Sequence, residues 1–245
     1  MIKSLAQKDV ILFGELHNNP ISHWLEYEVT ASLNKTNKLI LGAEMIESDN
    51  QDELNLYLNG TINANELDST ARLWKNYKTD YAPIVDFAKD HQLSFIATNI
   101  PRRYASLVYK NGFEILDSLP DKEKQWIVPL PIPFDRDLST YQNILKMMGE
   151  HGTPKLVMAQ AIKDATMAHF ILKNHTNEST FIHFNGAYHS NYYEGILWYL
   201  KKERVDLNYA TISTVSQDNL NKLLEENKGK ADFIICVDSD VTKTY

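Results

Sequence analysis

A single cysteine, Cys236, stands among 245 residues, which excludes structural disulfides, thiolate-rich zinc sites and covalent haem attachment through paired cysteines. It lies in the apolar run Phe233-Ile234-Ile235-Cys236-Val237 and reads as a buried strand residue. Basic residues are too few and too scattered for a nucleic-acid footprint: 25 Lys and Arg stand against 32 Asp and Glu, a formal charge of -7, whereas a phosphate backbone calls for a basic patch. Nucleic acid is therefore not an expected partner. No stretch approaches the roughly 20 apolar residues that span a bilayer, so no transmembrane segment is expected in the chain, and Met1 to Val10 carry no apolar leader core. A G-x-S-x-G elbow, a P-loop, G-x-G-x-x-G, H-E-x-x-H and C-x-x-C are also missing, which removes the main support for serine hydrolases and nucleotide binders. No repeat of fixed period occurs.

Hydrophobic residues at 43% suffice for a sizeable core. Strand-length apolar runs recur at Val10–Phe13, Leu39–Ala43, Leu93–Ala97, Leu156–Ala159, Phe181–Phe184, Tyr209–Val215 and Phe233–Val237, separated by segments of helical period. That alternation predicts an α/β fold, a mostly parallel β-sheet of six or more strands flanked by helices. Residues 1–245 read as one domain. Two segments, about 48–80 and 112–152, contain no convincing strand and are expected to be helical insertions that form a smaller helical subdomain. Within the second, Pro129, Pro131 and Pro133 forbid a helix interior and predict an extended link. Helices are expected over 64–75, over 160–175 and over 216–228, the last capped by Ser216 and closed by Lys228 and Gly229.

Polar residues follow the apolar runs with unusual regularity. Gly14-Glu15-Leu16-His17 follows the first, Glu44 the second, Asn99 and Arg102 the third, Gln160 the fourth and Tyr188-His189 the fifth. In open α/β sheets ligands bind beyond the carboxyl ends of the strands, so these residues are expected on one rim. Glu15 and His17 alternate with Leu16 and share one face in extended geometry. Two carboxylates and two imidazoles, Glu15, His17, Glu44 and His189, have the chemistry to hold a divalent metal ion or to act as general acid and base; a hydrogen-bonded polar cluster is the alternative. Gln160, Asp164 and Met167 form a helical stripe starting at the rim, although Met158 and Met167 equally suit a core. His183, alternating with Ile182 and Phe184, reads as a satisfied core histidine, and His23 as a second-tier contact.

The ordered set Gly14-Glu15-Leu16-His17-Asn18-Asn19-Pro20, Gly42-Ala43-Glu44-Met45, Tyr81 to Phe87, Ala97-Thr98-Asn99-Ile100-Pro101-Arg102, Ala159-Gln160 with Asp164 to Ala168, and Gly186-Ala187-Tyr188-His189 resembles the ChaN-like haem-binding uptake family of the Tiki superfamily. The resemblance covers about residues 9–215. Two positions depart from it: Asn18 stands where an Asp is common, and Tyr188 where a small residue is common. The resemblance implies a haem-binding protein of the bacterial cell envelope active in haem and iron uptake, lipid-anchored or periplasmic once a leader is removed, with haem enclosed by a homodimer and held by a tyrosine. A cytoplasmic location is the alternative. For haem the candidate contacts are His17, Arg102, Gln160, Met167, Tyr188, His189, Tyr192 and Tyr193. Related branches resemble metal-dependent hydrolases or peptidases that use the positions matched by Gly14, His17 and Glu44, so hydrolysis by Glu15, His17, Glu44 and His189 is the rival reading.

Overall fold

Val10–Glu15 is buried along its whole length, as is Thr180–Gly186, and strands buried on both faces belong in the middle of a parallel sheet covered by helices. The computed structural model describes residues 1–245 and bears this out. Six strands, β1 (Val10–Glu15), β2 (Leu39–Glu47), β3 (Ser94–Asn99), β4 (Thr180–Gly186), β5 (Tyr209–Gln217) and β6 (Phe233–Asp238), form one sheet in the order β3-β2-β4-β1-β5-β6. Every pairing is parallel, with Val10 opposite both Phe181 and Tyr209.

In chain order the α-helices are α1 (Ile2–Leu5), α2 (Pro20–Leu33), α3 (Gln51–Leu58), α4 (Ala64–Thr70), α5 (Ala82–Asp90), α6 (Arg102–Asn111), α7 (Asp121–Lys124), α8 (Ser139–Met148), α9 (Pro154–Asn174) and α10 (Ile196–Glu203). The period of two splits each strand between two layers. Ile11 and Phe13 pack with Leu33, Val85 and Phe87 on the side of α2 and α5, whereas Val10 and Leu12 pack with Val108, Ile162 and Leu200 on the side of α6, α9 and α10. The path from β1 through β2 to β3 runs to one edge, β4 returns between β2 and β1, and β5 and β6 extend the other edge. The direction reverses around β1 and β4, and a crevice opens beyond the carboxyl ends of strands at such a point.

Four local expectations are corrected. Leu156–Ala159 is not a strand but lies in the first turns of α9, because Thr153 accepts a hydrogen bond from the Leu156 amide and Pro154 occupies the opening position, where a missing N–H costs nothing. Residues 216–228 do not form a helix. β5 runs on to Gln217, whose buried side chain donates to the carbonyls of Asn219 and Lys222 and accepts from the Leu224 amide and the Asn227 side chain, satisfying the loop without helical bonds. The helix expected over 64–75 ends at Thr70 because Asn50 Oδ1 takes the Arg72 amide. Cys236 is half-buried on the edge strand β6 rather than buried. Residues 48–80 and 112–152 contain helices and turns after the end of β2 at Glu47 and no further strand, and Val128 to Pro133 is neither helix nor a straight extended link but bends at Leu130 and Pro131, whose peptide bond is cis.

At the centre of the sheet, Gly42 admits the ring of Phe181: a Cβ there would lie 2.8 Å from Phe181 Cζ. Gly42→Ala is expected to destabilise the fold by more than about 1 kcal/mol through overpacking. Phe181→Leu in the same chain should relieve part of that loss, giving a coupling of about 0.5–3 kcal/mol in a denaturation double-mutant cycle; strictly additive losses would contradict the packing.

Candidate functional site

Beyond β1, β4 and β5 lies a crevice of about 1050 Å³. Its floor is built from two chains of buried charge. In the first, Glu15 ends β1 almost completely buried. Its Oε1 accepts from Tyr81 Oη at 2.8 Å and from His17 Nδ1 at 2.5 Å, while Oε2 lies 3.0 Å from His23 Nδ1. Burial opposes ionisation of Glu15, yet its bonds to His17 and His23 outweigh this and hold the carboxyl down at about 2. Burial likewise opposes a charged His17, but the Glu15 hydrogen bond and the negative Glu44 raise it above the ordinary imidazole range. With Nδ1 committed to Glu15, the Nε2 edge of His17 lies against Gly186 and the ring lines the crevice.

Glu44 anchors the second chain from β2. Its Oε2 accepts from the Gly186 amide at 2.8 Å and its Oε1 lies 3.1 Å from His189 Nε2; His189 Nδ1 lies 2.5 Å from Asp164 Oδ1, and Tyr141 donates to Asp164 Oδ2 at 2.8 Å. Burial pushes the His189 imidazole down, but the Glu44 and Asp164 carboxylates on either side overcome it and raise the group to about 9. The two chains meet at Gly186. A Cβ there would stand 2.7 Å from His17 Nε2 and 3.5 Å from Glu44 Oε2, so only glycine lets the imidazole lie against the backbone.

The mouth of the crevice has a different character. Helix α8 contributes Ile144, Lys146, Met147 and Met148, the segment after β4 contributes Tyr188 and Tyr192, and the β5–β6 side contributes Val215 and Lys230. Met147, Met148 and Tyr188 are exposed, and Tyr188 Oη lies 3.3 Å from Met147 Sδ. Helix α8 is held in place by Glu194, whose carboxylate accepts from the amides and hydroxyls of Ser139 and Thr140 at 2.6–3.1 Å at the helix N-terminus. Tyr192 and Tyr193 have φ of 59° and 63°. Two consecutive non-glycine residues in the left-handed region are strained, by about 1–3 kcal/mol each, and such strain gathers at functional sites.

The family described as "Haem-binding uptake, Tiki superfamily, ChaN" matches residues 1–200. The chain belongs to this ChaN family. Among solved structures, ChaN of Campylobacter jejuni, described as binding haem cofacially, has a TM-score of 0.70 at 19% identity, with 96% of this chain and 89% of that one covered. A Bacillus cereus protein has a TM-score of 0.54 at 13% identity, covering 89% and 68%. A mutant erythromycin esterase EreC in an open conformation has a TM-score of 0.52 at 10% identity, covering 88% and 72%. At these identities the likeness is one of fold. No curated protein matches the sequence.

In this ChaN-family chain the structure brings Glu15, His17, Glu44, Gln160 and His189 together at the rim, with Gln160 Nε2 3.0 Å from His189 Nδ1. Tyr188 and Tyr192 line the crevice. Three candidate contacts lie elsewhere. Arg102 is exposed on α6, because β3 is the edge strand and β2 and β4 separate its carboxyl end from β1. Met167 is fully buried between α9 and the sheet; seven residues beyond Gln160, it sits about 10 Å further along the helix. Tyr193 is exposed beside Lys201 and does not line the crevice. Nor do Glu15, His17, Glu44 and His189 offer their ligand atoms to one point as a metal quartet: the group that gathers is Glu15, His23 and Glu26. His23 is thus a direct partner of Glu15. Sequence reasoning missed Tyr141, Lys146 and Lys230 and had Tyr81 only as part of a family motif, with no role, although the stripe from Gln160 to Asp164 pointed at the partner of His189.

His189 sets a pH dependence. Its folded-state value of about 9 lies above the ordinary 6.5, so its contribution to stability is complete below pH 6.5 and is lost as pH rises through 9. Denaturant unfolding should show His189→Gln flattening this part of the stability profile, which in the parent amounts to at most about 3 kcal/mol. Equal slopes for parent and variant would refute the paired imidazolium.

Proposed function

We propose that this chain binds haem in the crevice and serves haem uptake at the bacterial cell envelope, as a lipid-anchored or periplasmic protein, with two copies enclosing haem between them. The observation that carries the reading is the composition of the crevice mouth in a member of a haem-binding family. Haem needs an axial donor, apolar faces and cationic partners for its propionates. Tyr188 and Tyr192 offer phenol oxygens, Leu16, Ile144, Met147 and Val215 offer apolar surface, and Lys146 and Lys230 offer the cations. A volume of about 1050 Å³ stands at the upper end of ligand sites, roughly 300–1,000 Å³.

Haem would supply an iron that takes an oxygen donor. Tyr188 would hold it, since it is exposed at the mouth, where Tyr192 is only half-exposed, and its hydroxyl contacts only the weakly accepting Met147 sulfur. Lys146 and Lys230 then orient the macrocycle edge. The exposed Met147, Met148 and Tyr188 give a second copy an apolar surface to cover, and the Campylobacter relative is described as binding haem cofacially. The envelope location rests on the family resemblance and is checked by fractionating cells that express the full gene.

Haemin titrated into the purified chain should give a saturable, shifted Soret band. Tyr188→Phe should abolish the tyrosinate signature, Tyr192→Phe should leave it, and exchanging Lys146 and Lys230 for Glu should weaken binding by about tenfold or more, the loss of a charge-assisted contact of 1.5–3 kcal/mol. Free-haemin spectra throughout would refute the proposal.

One observation favours a second reading, hydrolysis at the crevice floor. His17 is oriented through Nδ1 by a buried carboxylate and lines the crevice, the arrangement of an acid–base imidazole with its orienting carboxylate, poised as the acid because Glu15 and Glu44 favour its charged form. Turnover of an activated ester by haem-free protein, lost in His17→Ala, would support it; equal rates in both proteins would remove it.

A further inference from the structure

Behind the crevice floor, on the side of Glu15 away from His17, three buried side chains present a cation-binding geometry. His23 Nδ1 lies 3.0 Å from Glu15 Oε2 and 3.3 Å from Glu26 Oε2, and the ligand atoms of the three residues all fall within 4.8 Å of one another. Ligands about 2.0–2.2 Å from a tetrahedral ion stand roughly 3.3–3.6 Å apart, so the 3.3 Å separation matches an edge of such a shell and the 3.0 Å one needs only a small opening. The exposed surface of Glu15 and Glu26 is 1% and 0%; Glu26 Oε1 has no hydrogen-bond partner, and Glu15 Oε2 has none beyond its 3.0 Å contact with His23.

The protons point the same way. His23 Nε2 faces only acceptors, the His17 carbonyl at 3.1 Å and Asp80 Oδ2 at 3.7 Å, so it carries a proton. That leaves Nδ1 directed at two carboxylates. A bare lone pair facing two anions inside a protein is untenable, so the position between them holds a cation, either a proton or a metal ion. Without a metal this takes two protons, one on Nδ1 and one on a carboxyl, whereas a single divalent ion satisfies both carboxylates. A histidine that donates its second ring N–H to a backbone carbonyl, as His23 does, is also the usual surrounding of a metal-ligating imidazole.

We propose that Glu15, His23 and Glu26 form a buried binding site for one divalent first-row metal ion, separate from the crevice and from haem. The donor set of two carboxylates and one imidazole suits Zn²⁺, Mn²⁺ or Fe²⁺ and lacks the thiolates that favour softer ions. Glu15 is the link to the crevice, with one oxygen toward the ion and the other bonded to His17 and Tyr81. An ion there keeps Glu15 ionised and fixed, and through it the orientation of His17.

The test uses Co²⁺ as a spectroscopic probe on chelator-stripped full-length protein. The expected result is one equivalent of Co²⁺ per chain after dialysis, with d–d bands of a low-coordinate oxygen and nitrogen site that Zn²⁺ displaces. Glu26→Gln, which preserves shape, and His23→Gln should each lose the bands, and His169→Gln should keep them. Circular dichroism establishes that the variants are folded; if His23→Gln fails to fold, Glu26→Gln decides alone. No stoichiometric Co²⁺ in the parent, or bands that survive Glu26→Gln, would overturn the proposal and leave a proton at His23. Haemin titration of the same samples reads the crevice separately.

Discussion

The burial of one carboxylate, Glu15, constrains the whole region around the crevice. It ends β1 at 1% exposure, and an ion taken out of water without partners costs several kcal/mol. Its partners therefore come from three segments: His17 from the loop, His23 from α2, and Tyr81 from just before α5. To deliver His23, α2 must start where Asn19 caps it and Pro20 opens it. To deliver Tyr81, the segment after β2 must fold back over the end of β1, and Asn76 fixes that return by donating to the His17 carbonyl. The 48–80 segment is thus shaped by a charge as much as by its apolar packing.

A parallel constraint works on the other layer. Glu44 and Asp164 come from β2 and α9, on opposite sides of His189, and neither can remain ionised in the interior without the imidazolium between them. Tyr141 completes the chain from α8, which ties the 112–152 segment to the same rim. Glu194 secures the start of α8, so the methionines of its last turn stand over the crevice. The floor and one wall of the site thus share a single network, and Gly186 is where its two halves come within contact distance.

The parallel sheet was legible because its strands are continuous apolar runs with polar termini, a pattern that composition cannot hide. The misreadings are equally physical. Leu156–Ala159 has strand composition, and only the preceding Thr153-Pro154 reveals a helix start. Residues 216–228 have helical composition, but a single buried glutamine, Gln217, offers the loop a better set of hydrogen bonds. At the site, Glu15, His17, Glu44 and His189 were legible because they directly follow strands. Tyr141 was not, and Tyr81 stood only within a family motif, since nothing local marks a residue whose role is to reach a charge more than 20 positions away in sequence. Arg102 misled for the converse reason: it follows a strand, but an edge strand.

The crevice has two zones with opposite chemistry, and this bears on how one fold serves different ends. Its floor is charged, largely buried and fixed by hydrogen bonds of 2.5–3.1 Å, a setting suited to holding a small polar group or a proton in one place. Its mouth is soft and apolar, built from methionines, which adapt to an irregular surface, and from a strained tyrosine turn. A broad, flat ligand with a polar edge uses the mouth and its lysines without displacing any residue of the floor. A reaction on a small substrate would use the floor without needing the mouth. The two demands fall on different residues, so a common scaffold can lose or gain one of them while the sheet beneath stays the same, and function has to be read from the site rather than from the fold.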